Sequence, residues 1–519
     1  MLHFSLCLLL LGGLVLNSES SRILAIYPCP SISHQIVFRP LTLELLKLGH
    51  EVTIVTADPM FSKENVPANL TELNVHNAAY GVITKIMSKV VTGSKTDLIN
   101  QALVVKELIY KATEAVILTD DVQNLLKNEK EYDLIFIEAL FTPMLGISHK
   151  FKAPTILVSS FGPFIGSYEI LGAPSKPLLY HNMYSQRLYN LNLLEKISEL
   201  YNQIRVRYIF NHSDEKLNEL IKQLFGSDTP SLSELKDQVD MLFVNIHPIW
   251  EGNYPVPPTV IHMGGLHQKS PKPLPKDLQQ YLDTSNNGVI YFSFGTNVNI
   301  SHLPQEQITI FKKVLSELPY NVLWKIEDDN LHEKSTNIKT FKWLPQADLL
   351  RHPNVKLFIT QGGLQSTDEA ITAGVPLIGV PILGDQWYNV EKYLHHKIGL
   401  KLYYEDITED NFKNAILEII ENKSYRDNIV RLRTLIQDQH QTPLERAIWW
   451  TEYVLRHGGA KHLRAPAANL SSTEYYEIEL VLLICSVSSI IVALLFIIIR
   501  LIVRSTSKLI FSKTKLKNP

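Results

Sequence analysis

Apolar residues along this chain fall into short runs, and most runs end in a small or polar turn followed by helical spacing. The runs at 22–28 (RILAIYP), 51–56 (EVTIVT), 132–137, 155–159 and 241–245 read as buried strands. A second series follows at 288–294, 321–326, 355–360 and 376–381. Helical spacing fills 35–48, closed by Gly49 at a C-cap position, and most of 97–126. It returns at 304–318 and 408–420, and at 443–457 as an amphipathic helix (PLERAIWWTEYVLRH). Strand–helix alternation predicts parallel sheets. Residues 165–235 lack a clean period. Their aromatic and sulfur side chains (Tyr168, Tyr180, Met183, Tyr184, Tyr189, Tyr201, Tyr208, Phe210) suit helices and loops over a cleft mouth, although such residues are individually more often core. Prolines crowd 248–276, which reads as an extended connection. The expected organisation is a leader at 1–20, an α/β domain at 21–247, a linker at 248–284 and a second α/β domain at 285–460. Two α/β halves joined by a linker imply a cleft between them, a usual place for a ligand.

One stretch is more specific than the rest. The strand 355–360 runs into Gln361-Gly362-Gly363, and a helix follows in which Ser366-Thr367-Asp368-Glu369 fits a capping box. A strand, a two-glycine turn and a helix start make an anion site, because free N–H groups and the positive end of the helix dipole point above the turn. The next strand ends at Gly384-Asp385-Gln386, so these residues border the same crevice at the carboxyl ends of the strands.

The two ends of the chain differ from its body. Residues 1–20 carry a short leucine-rich centre and small residues near Ser20, as a cleaved secretory signal does. The segment 480–499 (LVLLICSVSSIIVALLFIII) is long enough, at about 30 Å, to cross a bilayer as a transmembrane helix. Acidic residues precede it, and Arg500, Arg504, Lys508, Lys513, Lys515 and Lys517 follow it. This asymmetry predicts a cytosolic tail at 500–519 and a body on the other side of the membrane. Lys515 and Lys517 sit where a dilysine retrieval signal of the endoplasmic reticulum would, though a basic flank alone serves stop-transfer equally. Sequons at Asn69, Asn211, Asn299, Asn422 and Asn469 suit a lumenal body.

Composition adds exclusions. The chain has 519 residues, 45% hydrophobic and 20% charged, with a net charge of -2. The balance gives no reason to expect nucleic acid as a partner. Of three cysteines, Cys7 leaves with the leader and Cys485 lies in the apolar helix, so Cys29 has no partner for a disulfide. It reads as a buried structural thiol. The first strand is not followed by G-x-G-x-x-G, which argues against a nicotinamide or flavin oxidoreductase. No His, Cys and Asp cluster has metal-ligand spacing, and no metal is expected.

His34 opens a helix after the first strand, and Glu138 ends another strand of the same sheet. If the two strands are neighbours, the side chains can meet, and a histidine held by a carboxylate is a general base. A loop histidine taken alone is more often structural.

Trp343-x-Pro345-Gln346, then Gln361-Gly362-Gly363-Leu364-Gln365-Ser366-x-x-Glu369, then Asp385-Gln386, together resemble the signature of the UDP-glycosyltransferase family, membrane-bound animal type. Ser33-His34-Gln35 with Arg39-Pro40 resembles its catalytic-histidine region. The resemblance implies two Rossmann-like domains facing a cleft, the GT-B arrangement, with the 443–457 helix crossing back to the first domain. It implies His34 as base and Glu138 at the position of the usual aspartate. Trp343 would stack on uracil, with the Gln346 amide nearby. Glu369 would accept the ribose hydroxyls, a role that competes with the capping box. Gln361, Gly363, Gln365, Ser366 and Thr296 would meet the diphosphate, and Asp385 and Gln386 the sugar. Many relatives carry histidine where this chain has Gln361. The implied activity is inverting transfer of a hexose, glucose ahead of glucuronic acid, from a UDP-sugar to a hydroxyl of a small lipophilic acceptor. The UDP-sugar is then a co-substrate, and no cofactor is implied. A catalytically silent, nucleotide-sugar-binding relative is the alternative, and a homo-oligomer is compatible.

Overall fold

The computed structural model describes residues 20–87, 98–128, 130–185, 187–211, 215–296, 303–326, 335–468 and 470–515. The expected leader (but for Ser20), the sequons Asn299 and Asn469, and Lys517 lie outside them. The chain divides into two compact units after Ala465.

The larger unit contains two wholly parallel sheets. The first is ordered β3-β2-β1-β4-β5-β6-β7. Its strands are β1 (Arg22–Tyr27), β2 (Glu51–Thr56), β3 (Leu70–Asn74), β4 (Leu134–Glu138), β5 (Thr155–Ser159), β6 (Met241–Val244) and β7 (Val260–His262). The second is ordered β10-β9-β8-β11-β12-β13. It comprises β8 (Val289–Ser293), β9 (Asn321–Lys325), β10 (Ile338–Phe341), β11 (Val355–Thr360), β12 (Leu377–Gly379) and β13 (Gly399–Lys401). Central strands such as β4 and β8 are buried along their whole length, which is why they read as unbroken apolar runs. In both sheets the strand order reverses after the third strand, at β1/β4 and at β8/β11, the doubly wound arrangement whose ligands lie beyond the carboxyl ends of the strands.

Three expectations are corrected. Helix α1 spans Ile32–Lys47, so His34 lies in its first turn rather than in a preceding loop. The 248–284 segment is not simply extended. It contains the short helix α4 (Pro248–Glu251), strand β7 and a helix at Lys276–Asp283. Proline misled here because its fixed φ also suits helix starts: Pro248 opens α4 and Pro275 caps the later helix. The third concerns aromatic burial. Helix α2 (Leu98–Ile117) packs against α3 (Leu193–Asn211). Tyr168 and Tyr184 are core, but Tyr201 and Tyr208 of α3 are exposed, with Leu193, Leu194, Ile197 and Ile204. The inward face of α3 instead buries Glu199 and Gln203, which bond to each other and to Ser185 and Asn182.

Helix α7 (Pro443–His457) follows the second sheet and returns to the first half. Its start is a capping box between Thr442 and Glu445. Its Ala447 and Val454 share a core with Val37 and Leu41 of α1. Arg446 donates to the His262 carbonyl at 2.9 Å, and Glu452 meets His50 at 2.7 Å. Of the described sequons, Asn422 is exposed, whereas the Asn69 amide donates to the Leu46 and His50 carbonyls at 3.0 and 2.9 Å. Asn211 ends α3.

The smaller unit holds helix α8 (Ile478–Lys515). By length and composition, residues Ile478–Lys508 are long and apolar enough to cross a membrane.

Candidate active site

Two strand ends build the first half of the site. β1 and β4 are hydrogen-bonded neighbours, with Ile26 opposite Ile137, so Glu138 emerges beside the β1–α1 connection. There the His34 Nδ1 and Glu138 Oε1 atoms are 2.6 Å apart. The second carboxylate oxygen accepts the Cys29 backbone N–H at 3.2 Å. Glu138 is buried, while the His34 side chain keeps 15% exposure toward solvent. With Nδ1 committed to the carboxylate, Nε2 is the ring atom left for a ligand. Phe161 packs edge-on against the imidazole with centroids 5.5 Å apart.

Cys29 Sγ and the ligand atoms of His34 and Glu138 lie within 4.8 Å of one another, a donor set of the kind that binds a soft divalent cation. Burial and the neighbouring Glu138 push the Cys29 thiol well above its ordinary range, so the neutral thiol is a weak ligand. The packing role expected for Cys29 agrees with this burial.

The second half of the site is the turn between β11 and α5 (Leu364–Ala373). Gly362 adopts φ +92°, and a Cβ there would lie 2.4 Å from Val390 Cγ2. Gly295 adopts φ +73°, and a Cβ would lie 2.3 Å from Gln361 Nε2. Both positions therefore require glycine. The Gln361 amide is buried between the two glycine turns, its Oε1 accepting from Thr360 Oγ1 at 3.0 Å. Thr296, beyond Gly295, is exposed.

The capping box does not form. The helix begins three residues earlier than expected, with Gly363 rather than Ser366 as N-cap and no side-chain cap. Ser366 is thus inside the first turn, where the Gln365 and Ser366 N–H groups have no intrahelical acceptor. Freed from capping, Glu369 Oε2 accepts from Gln346 Nε2 at 2.7 Å, and the same amide reaches Ser366 Oγ at 2.9 Å. Gln346 Oε1 accepts from Tyr291 OH at 3.0 Å. The Gln346 side chain, expected beside a flat base, is therefore occupied in aiming Glu369. Burial raises the Glu369 carboxyl, and the Gln346 hydrogen bond opposes that rise. Trp343 is 63% exposed, so its ring is a platform and not core. Lys325 Nζ lies 4.9 Å from its centroid and donates to the Gly295 carbonyl at 2.8 Å, tying the indole to the turn after β8.

Asp385 and Gln386 divide. Gln386 Oε1 accepts the N–H groups of Ile382 and Leu383, both at 2.8 Å, and holds the turn that leads from β12 into α6 (Gln386–His395). Its carbonyl oxygen is therefore committed to the fold. The Asp385 carboxyl is pushed up to about 6 by burial, against the lowering effects of Asn389 and of His34. His34 of the first half thus acts on Asp385 of the second across the cleft. Nearby, a small cavity is walled by Phe161, His181 and Met183 of the first half and by Leu364, Asp385 and Asn389 of the second. Gln365 closes one edge, its side chain donating to the Ser160 carbonyl at 2.9 Å.

Sequence reasoning missed Asn389, Trp250, His181 and His267. Asn389 carried a signal, since it lies one helical turn after Asp385. His267, buried against Gln365 and lowered to about 4 by burial, had none. Trp250 lay in the segment taken as an extended linker.

The profile of the family described as "UDP-glucoronosyl and UDP-glucosyl transferase" matches residues 23–516. An ecdysteroid UDP-glucosyltransferase of Spodoptera littoralis nuclear polyhedrosis virus is 33% identical over 484 residues, covering 90% of this chain and 94% of that protein. UDP-glucosyltransferase 2 of Dactylopius coccus is 32% identical over 485 residues, 92% of each chain. Among solved structures, a calicheamicin glycosyltransferase superposes with a TM-score of 0.57 at 16% identity, over 85% of this chain and 99% of its own. A UDP-glucosyltransferase from Polygonum tinctorium gives 0.56 at 16% identity, over 84% and 99%. At that identity the structures speak to the fold alone, and the fold is the GT-B arrangement of two facing Rossmann-like halves. The profile and the relatives carry the rest: this chain belongs to the UDP-glucoronosyl and UDP-glucosyl transferase family and is an enzyme that moves a sugar from a UDP-sugar to an acceptor.

Proposed function

We propose that the sugar is glucose, that the acceptor is a hydroxyl on a small lipophilic molecule, and that transfer inverts the anomeric carbon. The observation that carries this reading is the His34–Glu138 pair, 2.6 Å apart at the mouth of the cleft. His34 takes the proton of the acceptor hydroxyl as that oxygen attacks the anomeric carbon. Glu138 stabilises the resulting imidazolium. The bond from the anomeric carbon to the diphosphate breaks as the new bond forms, so a single displacement gives a β-glycoside from an α-linked donor.

The leaving UDP gathers negative charge, which this reading assigns to the N–H groups at the start of α5, with Gln361 and Thr296 beside them. Uracil stacks on Trp343, and the ribose hydroxyls donate to Glu369. Asp385 accepts from the sugar hydroxyls. A glucuronate carboxylate would meet the Asp385 carboxylate at unfavourable like charge, which supports glucose. The nearest apolar walls, Phe161 and Met183, suit a lipophilic acceptor.

Incubating the protein with UDP-glucose or UDP-glucuronate and a panel of phenolic and steroidal alcohols tests the assignment. The expected result is a β-glucoside with UDP-glucose alone. His34→Ala should abolish turnover and leave UDP binding intact; UDP binding without turnover in the unaltered protein across the panel would favour a silent, sugar-nucleotide-binding role.

We assign α8 to a single membrane crossing in the endoplasmic reticulum with a lumenal body and cytosolic tail. Protease treatment of sealed microsomes should remove an epitope after Lys508 and spare one in α1; the reverse pattern overturns the orientation.

A further inference from the structure

One buried asparagine joins parts of the site that lie far apart in sequence. Asn389 is fully buried on α6, one turn beyond Asp385. Its Nδ2 donates to Asp385 Oδ2 at 2.9 Å and to the Gly362 carbonyl at 3.0 Å. Its Oδ1 accepts the indole N–H of Trp250 at 3.2 Å. The polarity of these partners is fixed: a carboxylate and a carbonyl can only accept, and an indole N–H can only donate. A side chain with two donors and one acceptor is therefore demanded. Aspartate would set oxygen against oxygen, and leucine would leave three buried groups unmet.

Trp250 belongs to the other half. It lies on α4, between β6 and β7 of the first sheet. α4 is held by several contacts. His247 accepts the Ile249 N–H at 3.1 Å. Glu251 accepts from Tyr168 OH at 2.6 Å and is 2.8 Å from His262 Nε2. From the second half, Tyr388 OH donates to the Glu251 carbonyl at 3.1 Å, and Lys392 donates to the Trp250 carbonyl. The Trp250 ring also stacks on His396, with centroids 5.4 Å apart. The first half thus delivers one oriented donor to Asn389 when the halves meet.

We infer that Asn389 is a positioning residue that aims Asp385 at the donor sugar, and that Trp250 completes this alignment when the two halves are docked. Donor-sugar engagement is then conditional on closure, while UDP itself is held mainly by the second half. The inference rests on the proposed role of Asp385. The titratable group acting on that carboxyl is His34 across the cleft, and the carboxyl in turn raises Tyr393 on its own helix.

The test titrates the full-length protein with UDP and with UDP-glucose between pH 5 and 8. It compares the original chain with Asn389→Ala, Trp250→Phe and Asp385→Asn. The readout is the ratio of the two dissociation constants, because a general loss of structure weakens both ligands together. Loss of a hydrogen bond to a carboxylate predicts a fall in the UDP-glucose preference of about tenfold for Asn389→Ala at pH 7. The pH midpoint of that preference should also rise, since the Asn389 amide favours the ionised form. Trp250→Phe keeps the ring and removes only the N–H, and it should shift the ratio in the same direction by a smaller factor. An unchanged ratio and midpoint in Asn389→Ala, with a lowered ratio in Asp385→Asn, overturns the positioning role and leaves the sugar reading standing. An unchanged ratio in Asp385→Asn overturns the sugar reading and this inference with it. If Asn389→Ala does not bind UDP, Trp250→Phe decides alone, and an unaltered ratio there overturns the dependence on closure.

Discussion

Replacing Glu138 by glutamine probes the electrostatic part of the proposed His34–Glu138 catalytic pair. Glutamine keeps one oxygen: placed on His34 Nδ1 it preserves that acceptor, while its NH2 faces the Cys29 N–H that the second carboxylate oxygen accepts at 3.2 Å, so that one backbone bond is given up. What is lost is the negative charge facing His34 Nδ1. In the ground state that loss is small, because a neutral imidazole needs only an acceptor. In the transition state the ring gains a proton and the difference appears in full. A hydrogen bond to a charged group contributes about 1.5–3 kcal/mol. Coulomb attraction over the observed 2.6 Å in a medium of effective dielectric 20 gives an upper bound of about 6 kcal/mol. The lower range alone corresponds to a loss of about 10- to 150-fold in kcat. Steady-state kinetics of Glu138→Gln with saturating UDP-glucose should show that fall, with UDP affinity within about twofold of the original. Glu138→Asp retracts the carboxylate by one methylene, about 1.5 Å, which turns the short contact into a gap of about 4 Å unless the strand end shifts. It should therefore fail to restore activity. Full activity of the glutamine variant, with correct folding shown by UDP binding, would refute the assignment of Glu138 as the group that stabilises the imidazolium.

Three further outcomes follow from the same geometry. The Asp385 carboxyl, raised to about 6 by burial, is neutral below that pH and a poor acceptor for sugar hydroxyls, so kcat/KM for UDP-glucose should rise as pH passes upward through about 6. Asp385→Asn should flatten that limb in an initial-rate profile, and a limb of unchanged shape would count against it. Trp343→Ala should weaken UDP binding by about 1–3 kcal/mol, the range for base–aromatic stacking, with an unchanged Tm because the ring is 63% exposed. Gln361→His, protonated next to the diphosphate, should tighten UDP by about 1 kcal/mol at pH 6, measured calorimetrically, and an unaltered affinity would remove charge at this position from the account.

The parts legible in the sequence are those whose cause is local. Apolar runs gave β5, β4 and the body of β11 because both faces of a parallel strand are covered. The α7 boundaries were readable because Thr442, Pro443 and Glu445 satisfy the first turn by themselves. The glycine turn was readable because positive φ leaves few alternatives at Gly362. What failed depends on contacts made across the chain. Ser366 and Glu369 have capping-box spacing, yet Gln346, twenty-three residues from Glu369, takes the carboxylate and the helix starts earlier. The competition was between a local bond of the backbone and a half-buried amide; the charged acceptor wins. Asp385-Gln386 read as a sugar-binding pair, and what the sequence did not reveal is that Gln386 Oε1 accepts the Ile382 and Leu383 N–H groups of the turn after β12. Two adjacent polar residues at a strand end therefore separate by geometry: Gln386, the first residue of α6, turns its amide oxygen back onto the preceding backbone, and Asp385, the N-cap, meets Asn389. The same rule explains why Asn389 escaped notice. Its three partners come from Gly362, Asp385 and Trp250, and only when both halves are present does the polarity at that point exclude every other side chain of similar size.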